Sequence, residues 1–412
     1  MPAASGLFKQ VAYKFNPGAY GALPGQASGQ LLRRVQSTVD LSKDTYASNE
    51  KRPDFQIADF RHGVRRVSGK ISGELSCKTY ADFFAQALKR DFTAGASAAG
   101  VSVTIAGTGP YTITRAAGNF LTDGFKVGDG IRLSVGALNV ANINKNLFIV
   151  SLTATVATVI TMNGSALAAE GPVTGCTIAV QGKKTFIPTS GHTDKDFAIE
   201  HWYADLGQSE LFLGCKIDKL GIALPPTGMA TIDMDVMGQD LAETAAKRGG
   251  IATTAQYFTT PTAITSTGAM AAVNGVCRIG GQPVASLTGL QFEIDPTFSG
   301  DAVVGSNIVP QLFAGPVKVT GQLTAYFDSV ALRDAFINET EVDLLSAFTA
   351  DNTATSDFLA MAFPRIKVGG AAKSDDDGGL IQTLPFQALL NVNGGAGTST
   401  EKTTFSIQDT QA

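Results

Sequence analysis

The chain has 412 residues, 44% hydrophobic and 17% charged, enough to bury more than one core and too long for one ordinary domain. Lys and Arg number 32 against 36 Asp and Glu, a formal net charge of -4, which disfavours a role that grips nucleic acid through its phosphates. The four cysteines, Cys77, Cys176, Cys215 and Cys277, lack CxxC spacing and scaffold density, and read as small buried residues in a reducing cytoplasm.

In chain order, the opening MPAASGLFKQVAYKF lacks the charged and apolar blocks of a signal peptide. No apolar run approaches the roughly 18 residues of a membrane span, so a soluble product without membrane insertion is expected. With 45 Gly, many Thr, Ala and Val and 1 Trp, the composition suits a turn-rich β fold. A long polar stretch, residues 40–61, precedes HGVRRVSGKISGEL, residues 62–75. That segment lies without gaps over AGPVKVTGQLTAYF, residues 314–327, and pairs Gly63 with Gly315, Val67 with Val319 and Gly69 with Gly321.

Both copies alternate as a strand with one dry face: Val317, Val319, Leu323 and Phe327 on one side, Lys318, Thr320, Gln322 and Thr324 on the other. A helix follows each. Tyr80, Phe83, Phe84, Ala87 and Leu88 recur at helical spacing, and the same register aligns Leu332, Ala335 and Phe336 with the first three. Copy one then resumes with FAIEHWYAD, LFLGCKIDKLGIAL and MATIDMDVMG as three strands, and copy two with FLAMAFPRIKV and LIQTLPFQALLNV. Copy two has its own polar stretch ahead of the repeat, residues 295–313.

Copy one contains extra text, residues 93–184, whose short β runs between Gly-rich turns predict a small inserted barrel or sandwich. The expected division is therefore a discontinuous first unit, 1–92 and 185–248; the insertion, 93–184; a Gly-, Ala- and Thr-rich linker, 249–276; and a second unit, 277–412. The fold class is mainly β with a few helices (α+β).

Signatures of chemistry are sparse. The three histidines, His62, His192 and His201, sit in no nucleophile motif, and HExxH, paired CxxC and Walker patterns are missing, so no catalytic, cofactor or metal site is expected. His201 reads as a strand-end side chain with a satisfied hydrogen bond. SDDDGG, from Ser374, lacks the alternating ligands and closing Glu of a calcium loop and reads as a solvated hairpin tip. Asp233 and Asp235 alternate with Ile232, Met234 and Val236, which places the acids on one strand face rather than around a cleft.

The segment from Leu32 to Leu88, LRRVQSTVDLSKDTYASNEKRPDFQIADFRHGVRRVSGKISGELSCKTYADFFAQAL, closely resembles siphophage tail tube proteins. The positions carrying the resemblance are Leu32, Arg33, Ser48, Asn49, Glu50, Asp59, Gly63, Gly69, Glu74, Leu75 and Tyr80, continued by IEHWYADLG and by Gly214, Gly228 and Gly238. FLTDGFKVGDGIRLS is similar to an insertion domain of that family, displayed on the tube exterior. Copy two lacks the Ser-Asn-Glu text.

The resemblance implies two tandem β-sandwich or barrel units, each with a flanking helix, whose strands join neighbouring subunits in a closed inner barrel. It further implies a structural, non-enzymatic subunit of the virion tail, assembled in the bacterial host cytoplasm and stacked as rings around a channel for DNA ejection. If a ring holds six tube units, two units per chain give trimeric, pseudo-hexameric rings. Candidate lumen residues are Ser68, Lys70, Ser72, Glu74, Asp233, Asp235, Thr320, Gln322 and Thr324. Candidate ring-to-ring residues are Asp44, Ser48, Asn49, Glu50, Asp301 and Asn307. Expected partners are further copies of the chain, a tape-measure protein in the lumen, terminator and distal tail proteins at the ends, and double-stranded DNA sliding through without specific binding. Two competing readings are a phage decoration or receptor-binding protein and a carbohydrate-active enzyme using Glu200 and Asp205. The internal repeat argues against the first, and the 8% aromatic content against the second. A contractile-tail or secretion tube would normally have one unit per chain.

Overall fold

The computed structural model describes residues 4–283, 287–327, 331–374 and 379–412; the acidic turn expected at 375–378 lies outside them. The fold is mainly β, with three short α-helices among the described residues. In copy one, β1 (Gln36–Ser37) and β2 (Asp40–Ala47) both pair with the long β3 (Phe60–Glu74). Along β3, Val67 and Ile71 are buried while Ser68, Lys70 and Glu74 face solvent, the period-two pattern of a one-sided sheet. Gly69 has a structural reason: a Cβ there would lie 2.4 Å from the Val39 Cα, where the neighbouring strand breaks between β1 and β2.

The polar stretch before the repeat is thus a β-hairpin arm rather than a loop, β2 running back along the first half of β3. Both faces of its outer half are wet, so it lacks the one-sided apolar alternation that marks a strand.

The following α1 (Ala81–Ala87) is too short to stand alone and is held by packing. Phe83 stacks 4.7 Å from the Tyr13 ring and 5.3 Å from Phe197, and Phe84 and Leu88 are buried beside it. Each such side chain contributes about 1.5–3 kcal/mol.

Strands β4 (Gln208–Leu224) and β5 (Thr231–Gly238) complete copy one; β6 (Leu287–Asp295) and β7 (Lys318–Tyr326) open copy two. After α2 (Ala331–Ile337) come β8 (Phe358–Val368), β9 (Ala372–Lys373) and β10 (Ile381–Ala388). One antiparallel sheet runs β1/β2–β3–β5–β4–β6–β7–β10–β8/β9. The copies meet at the β4–β6 seam, where Leu220, Ile222 and Leu224 oppose Ile294, Phe292 and Leu290. One hydrophobic cluster crosses this seam, from Val67 and Ile232 to Leu323 and Phe386.

Two long strands turn the corner into a second layer. The first part of β4 pairs with Asp196–Tyr203, which also pairs with Lys9–Asn16. The first part of β8 pairs with Val342–Thr349 and Ser406–Asp409. The corner of β4 falls at Gly214, whose φ of +65° favours glycine; that of β8 falls at Pro364, next to a register shift.

Between α1 and Asp196, six strands from Ser97 to Val180 close into a barrel with its own core, including Val103, Ile113, Phe125, Leu133 and Ile149. Its outer residues Phe148 and Met162 dock on Leu345, Phe358 and Ala360 of copy two's second layer, away from the polar sheet face. Lys184 ties barrel to body, lying 3.0 Å from Asp129 and 3.0 Å from Glu401. The connecting stretch 249–276 is itself packed, with Tyr257, Phe258 and Met270 buried and Thr262–Ala263 paired in parallel with Gln30–Leu31.

The chain's end is fastened by Asp409, which accepts backbone N–H bonds from Lys78 (2.6 Å) and Gln411 (2.8 Å). Burial pushes its carboxyl up to about 6 against those donors, with Asp357 adding to the rise. Raised above its unfolded value of about 3.9, Asp409 contributes stability that is present below pH 4 and is lost as pH rises through 6, about 2–3 kcal/mol. The Asp409→Asn variant should therefore gain on the parent between pH 4 and 6 in thermal unfolding; a pH-independent difference would refute this assignment.

Candidate functional site

The polar face of the long sheet brings the nine candidate lumen residues together. Ser72 opposes Asp233 and Lys70 opposes Asp235 across β3–β5, while Thr320, Gln322 and Thr324 oppose Gln387, Pro385 and Thr383 across β7–β10. Ser68, Lys70, Glu74 and Thr320 are exposed, and Ser72, Asp233, Asp235, Gln322 and Thr324 half-buried, each alternating with core residues. The sheet forms a shallow trough at the seam, lined by Gly221, Ala223, Asp233, Gln291, Glu293 and Gln322. Residues of β4 and β6 on this face, Lys219, Gly221, Gln291 and Glu293, escaped the sequence reading. The alternation of Leu290, Phe292 and Ile294 carried the signal that could have found β6.

Two lysines on this face have carboxylate partners. The Lys70 ammonium lies 3.3 Å from Asp233, and that of Lys219 3.0 Å from Glu293. Its hydrogen bond to Glu293 is the main influence raising Lys219. Pairs this exposed are worth about 0–1 kcal/mol each, so their effect is on surface potential rather than stability.

Two arms leave the sheet at one end, and they differ. The first, the β2–β3 hairpin, projects free: Asn49 and Glu50 are exposed, Asp44 and Ser48 half-buried, and Phe55 is almost fully exposed. Its turn is braced by the Ser48 N–H to Asp59 carbonyl bond (2.9 Å) and the Arg52–Asp54 ion pair (3.0 Å). The second arm, holding Asp301 and Asn307, folds back on copy one. The Asn307 carbonyl accepts from the Arg65 N–H (2.8 Å), the Val309 carbonyl from Gln239 Nε2 (3.0 Å) and the Leu312 carbonyl from Lys216 Nζ (3.2 Å). Asp301 and the side chain of Asn307 remain exposed.

The family model described as phage tail tube protein matches residues 9–388, spanning both copies and the insertion. The chain belongs to the phage tail tube protein family. Among curated proteins, none matches it. Membership makes the tail tube chain a structural component of the phage virion tail that assembles with copies of itself into a tube.

The carboxylates weighed as glycosidase acids have other work in this tail tube protein. Glu200 is sealed from solvent, accepting from Ser209 Oγ (2.5 Å) and the Tyr257 (2.5 Å) and Phe258 (2.9 Å) N–H groups, with Arg248 3.9 Å away. It anchors the connecting stretch. Asp205 lies at the surface and holds the Ser5 N–H (2.6 Å). His201 is buried within a strand, its Nε2 2.9 Å from Ser37 Oγ. Burial, with Lys9 and Arg34 nearby, pulls it down to about 3, so the ring is neutral.

Proposed function

We propose that three chains close into a ring whose polar sheet face lines a channel for DNA, and that rings stack through the free arm into the tail tube. The observation that carries this reading is the seam: a sheet with one wet and one dry face passes unbroken from copy one to copy two. Among the described residues, β1 and β2 at one outer edge and β9 at the other have no further strand partner. Such edges invite pairing, and closure removes them.

Counting β1 with β2 and β8 with β9, each chain supplies eight strands. Three chains give a barrel of twenty-four, with a diameter of about 45–50 Å at a spacing of ~4.8 Å and a tilt of ~40°. This passes a double helix, and a tape-measure protein before it; six chains would double the bore. The wall would act by not holding DNA. Lys70 and Lys219 are offset by Asp233 and Glu293, which lowers the number of cations able to release counterions from phosphates, and the duplex slides. The barrel insertion, docked on the second layer, falls on the exterior. No step of this role needs catalysis, and the tube's ends would meet terminator and distal tail proteins.

Native mass spectrometry or electron microscopy of isolated rings is expected to give three chains with pseudo-sixfold walls and three outer protrusions. Six chains per ring would overturn the stoichiometry.

A further inference from the structure

Resting on the ring reading above, we infer that the contact between chains reproduces the seam within the chain, in a register that the duplication specifies. The surface concerned is the β9 edge with the neighbouring end of β10, and its occupant is the β1–β2 edge and arm root of a second copy.

The register follows from paired positions. Gly221 and Glu293 are opposed across the internal seam. Gly221 is also opposite Asp233 on β5, as Ala372 is opposite Thr383 on β10. Counted from the partners of Gly69 and Gly321, Val236 and Phe386, the positions Asp233 and Thr383 are equivalent. Ala372 therefore stands where Gly221 does. On the other side, Glu293 pairs with Thr320 just before Gly321, and Asp40 pairs with Ser68 just before Gly69. Asp40 therefore stands where Glu293 does. Ala372 of one chain is assigned opposite Asp40 of the next, and both are exposed here.

The arms supply an independent observation. In arm two, Val309 and Leu312 are each 4% exposed because they pack on copy one beside Val64 and Met237. Their equivalents in arm one, at the same distances before Gly63 as before Gly315, are Ile57 and Phe60, which are 74% and 55% exposed. The same kind of apolar side chain is covered where a neighbouring copy exists in the chain and bare where none does. At the opposite edge of the sheet, Leu390 and Val392, just beyond β10, are exposed as well, whereas Asp240 and Ala242 beyond β5 are buried. A second copy matches both surfaces at once: root residues Ile57 and Phe60 cover the end of β10, and the tip of arm one stays free for the next ring. Because the two surfaces differ, the contact is head-to-tail and closes only as a ring.

Cysteines placed at Asp40→Cys and Ala372→Cys test the register. Directly opposed residues bring their Cβ atoms to about 4.5–5.5 Å, close to disulfide reach, while a two-residue offset does not. Cys77, Cys176 and Cys215 are buried and should not compete. With a mild thiol oxidant, assembled D40C/A372C rings should run mostly as covalently closed trimers on non-reducing gels, at least about tenfold more than S42C/A372C rings. Cross-linking is read per assembled ring, counted under reducing conditions, so any loss of assembly from substitutions at the contact itself is divided out. Rings that cross-link better in the offset pair, or in neither, would overturn the register and leave the ring reading intact. A parent chain that forms no rings would remove both.

Discussion

Excising residues 50–55 from the tip of arm one should leave subunits that still form rings but no longer polymerise into tubes. The hairpin below the cut is self-sufficient: β2 pairs with β3 from Asp40 to Ala47, and the Ser48–Asp59 bond closes it, so Asn49, Gln56, Ile57 and Ala58 can serve as a short loop. What is lost is the almost fully exposed Phe55 and the charged pair Arg52–Asp54 that shapes the turn. Burying one such ring against a neighbour is worth about 1.5–3 kcal/mol, and in the proposed trimeric ring three arms would act together, which places the expected loss at several orders of magnitude in stacking affinity. Electron microscopy read beside sedimentation separates the outcomes. Tubes of normal length from the excised chain would sink the assignment of the arm.

Lys184→Met should strongly destabilise the chain. Burial works against the Lys184 ammonium, but Asp129 and Glu401 outweigh it and hold its pKa above the ordinary lysine value. Folded above unfolded, this contribution is complete below about pH 10 and is lost only as pH rises past the folded value, so it is fully present at neutral pH. Removing the cation strands two carboxylates, one of them enclosed between barrel and body. Breaking such a buried cluster costs about 3–5 kcal/mol. Thermal unfolding at pH 7 should show that loss, and adding Asp129→Asn to the Met variant should recover part of it. A midpoint unchanged by Lys184→Met would refute the coupling.

Much of copy one and of the repeat is legible in the text because its strands are dry on one side. Val67 and Ile71, like Val319 and Leu323, alternate with polar neighbours, and the aligned glycines fix the copies against each other. The polar-face candidates were legible for the same reason: a residue between two core positions of a strand has only the other face to occupy. What escaped lacks that asymmetry. Val342–Thr349 is mostly buried on both faces and shows no period, while the outer half of arm one is wet on both and reads as loop. The second arm's return onto copy one depends on Lys216 and Gln239, far away in sequence, and local pattern carries no trace of it. Residues 249–276 read as a linker from their composition, which gives no sign that a few anchors, Tyr257, Phe258 and Met270, are buried.

Covalent fusion of two units through the β4–β6 seam also bears on how fast a tail can grow. In the proposed ring of three chains, half of the lateral junctions would form during folding, at the high effective concentration of a tethered pair, and only the remainder would wait on encounters between molecules. A ring of three would need fewer productive collisions than one of six, so under that stoichiometry the threshold concentration for starting a tube would fall. Fusion also frees the halves to diverge: an appendage can be carried on alternate positions around the circumference without a second gene product or any means of sorting the two.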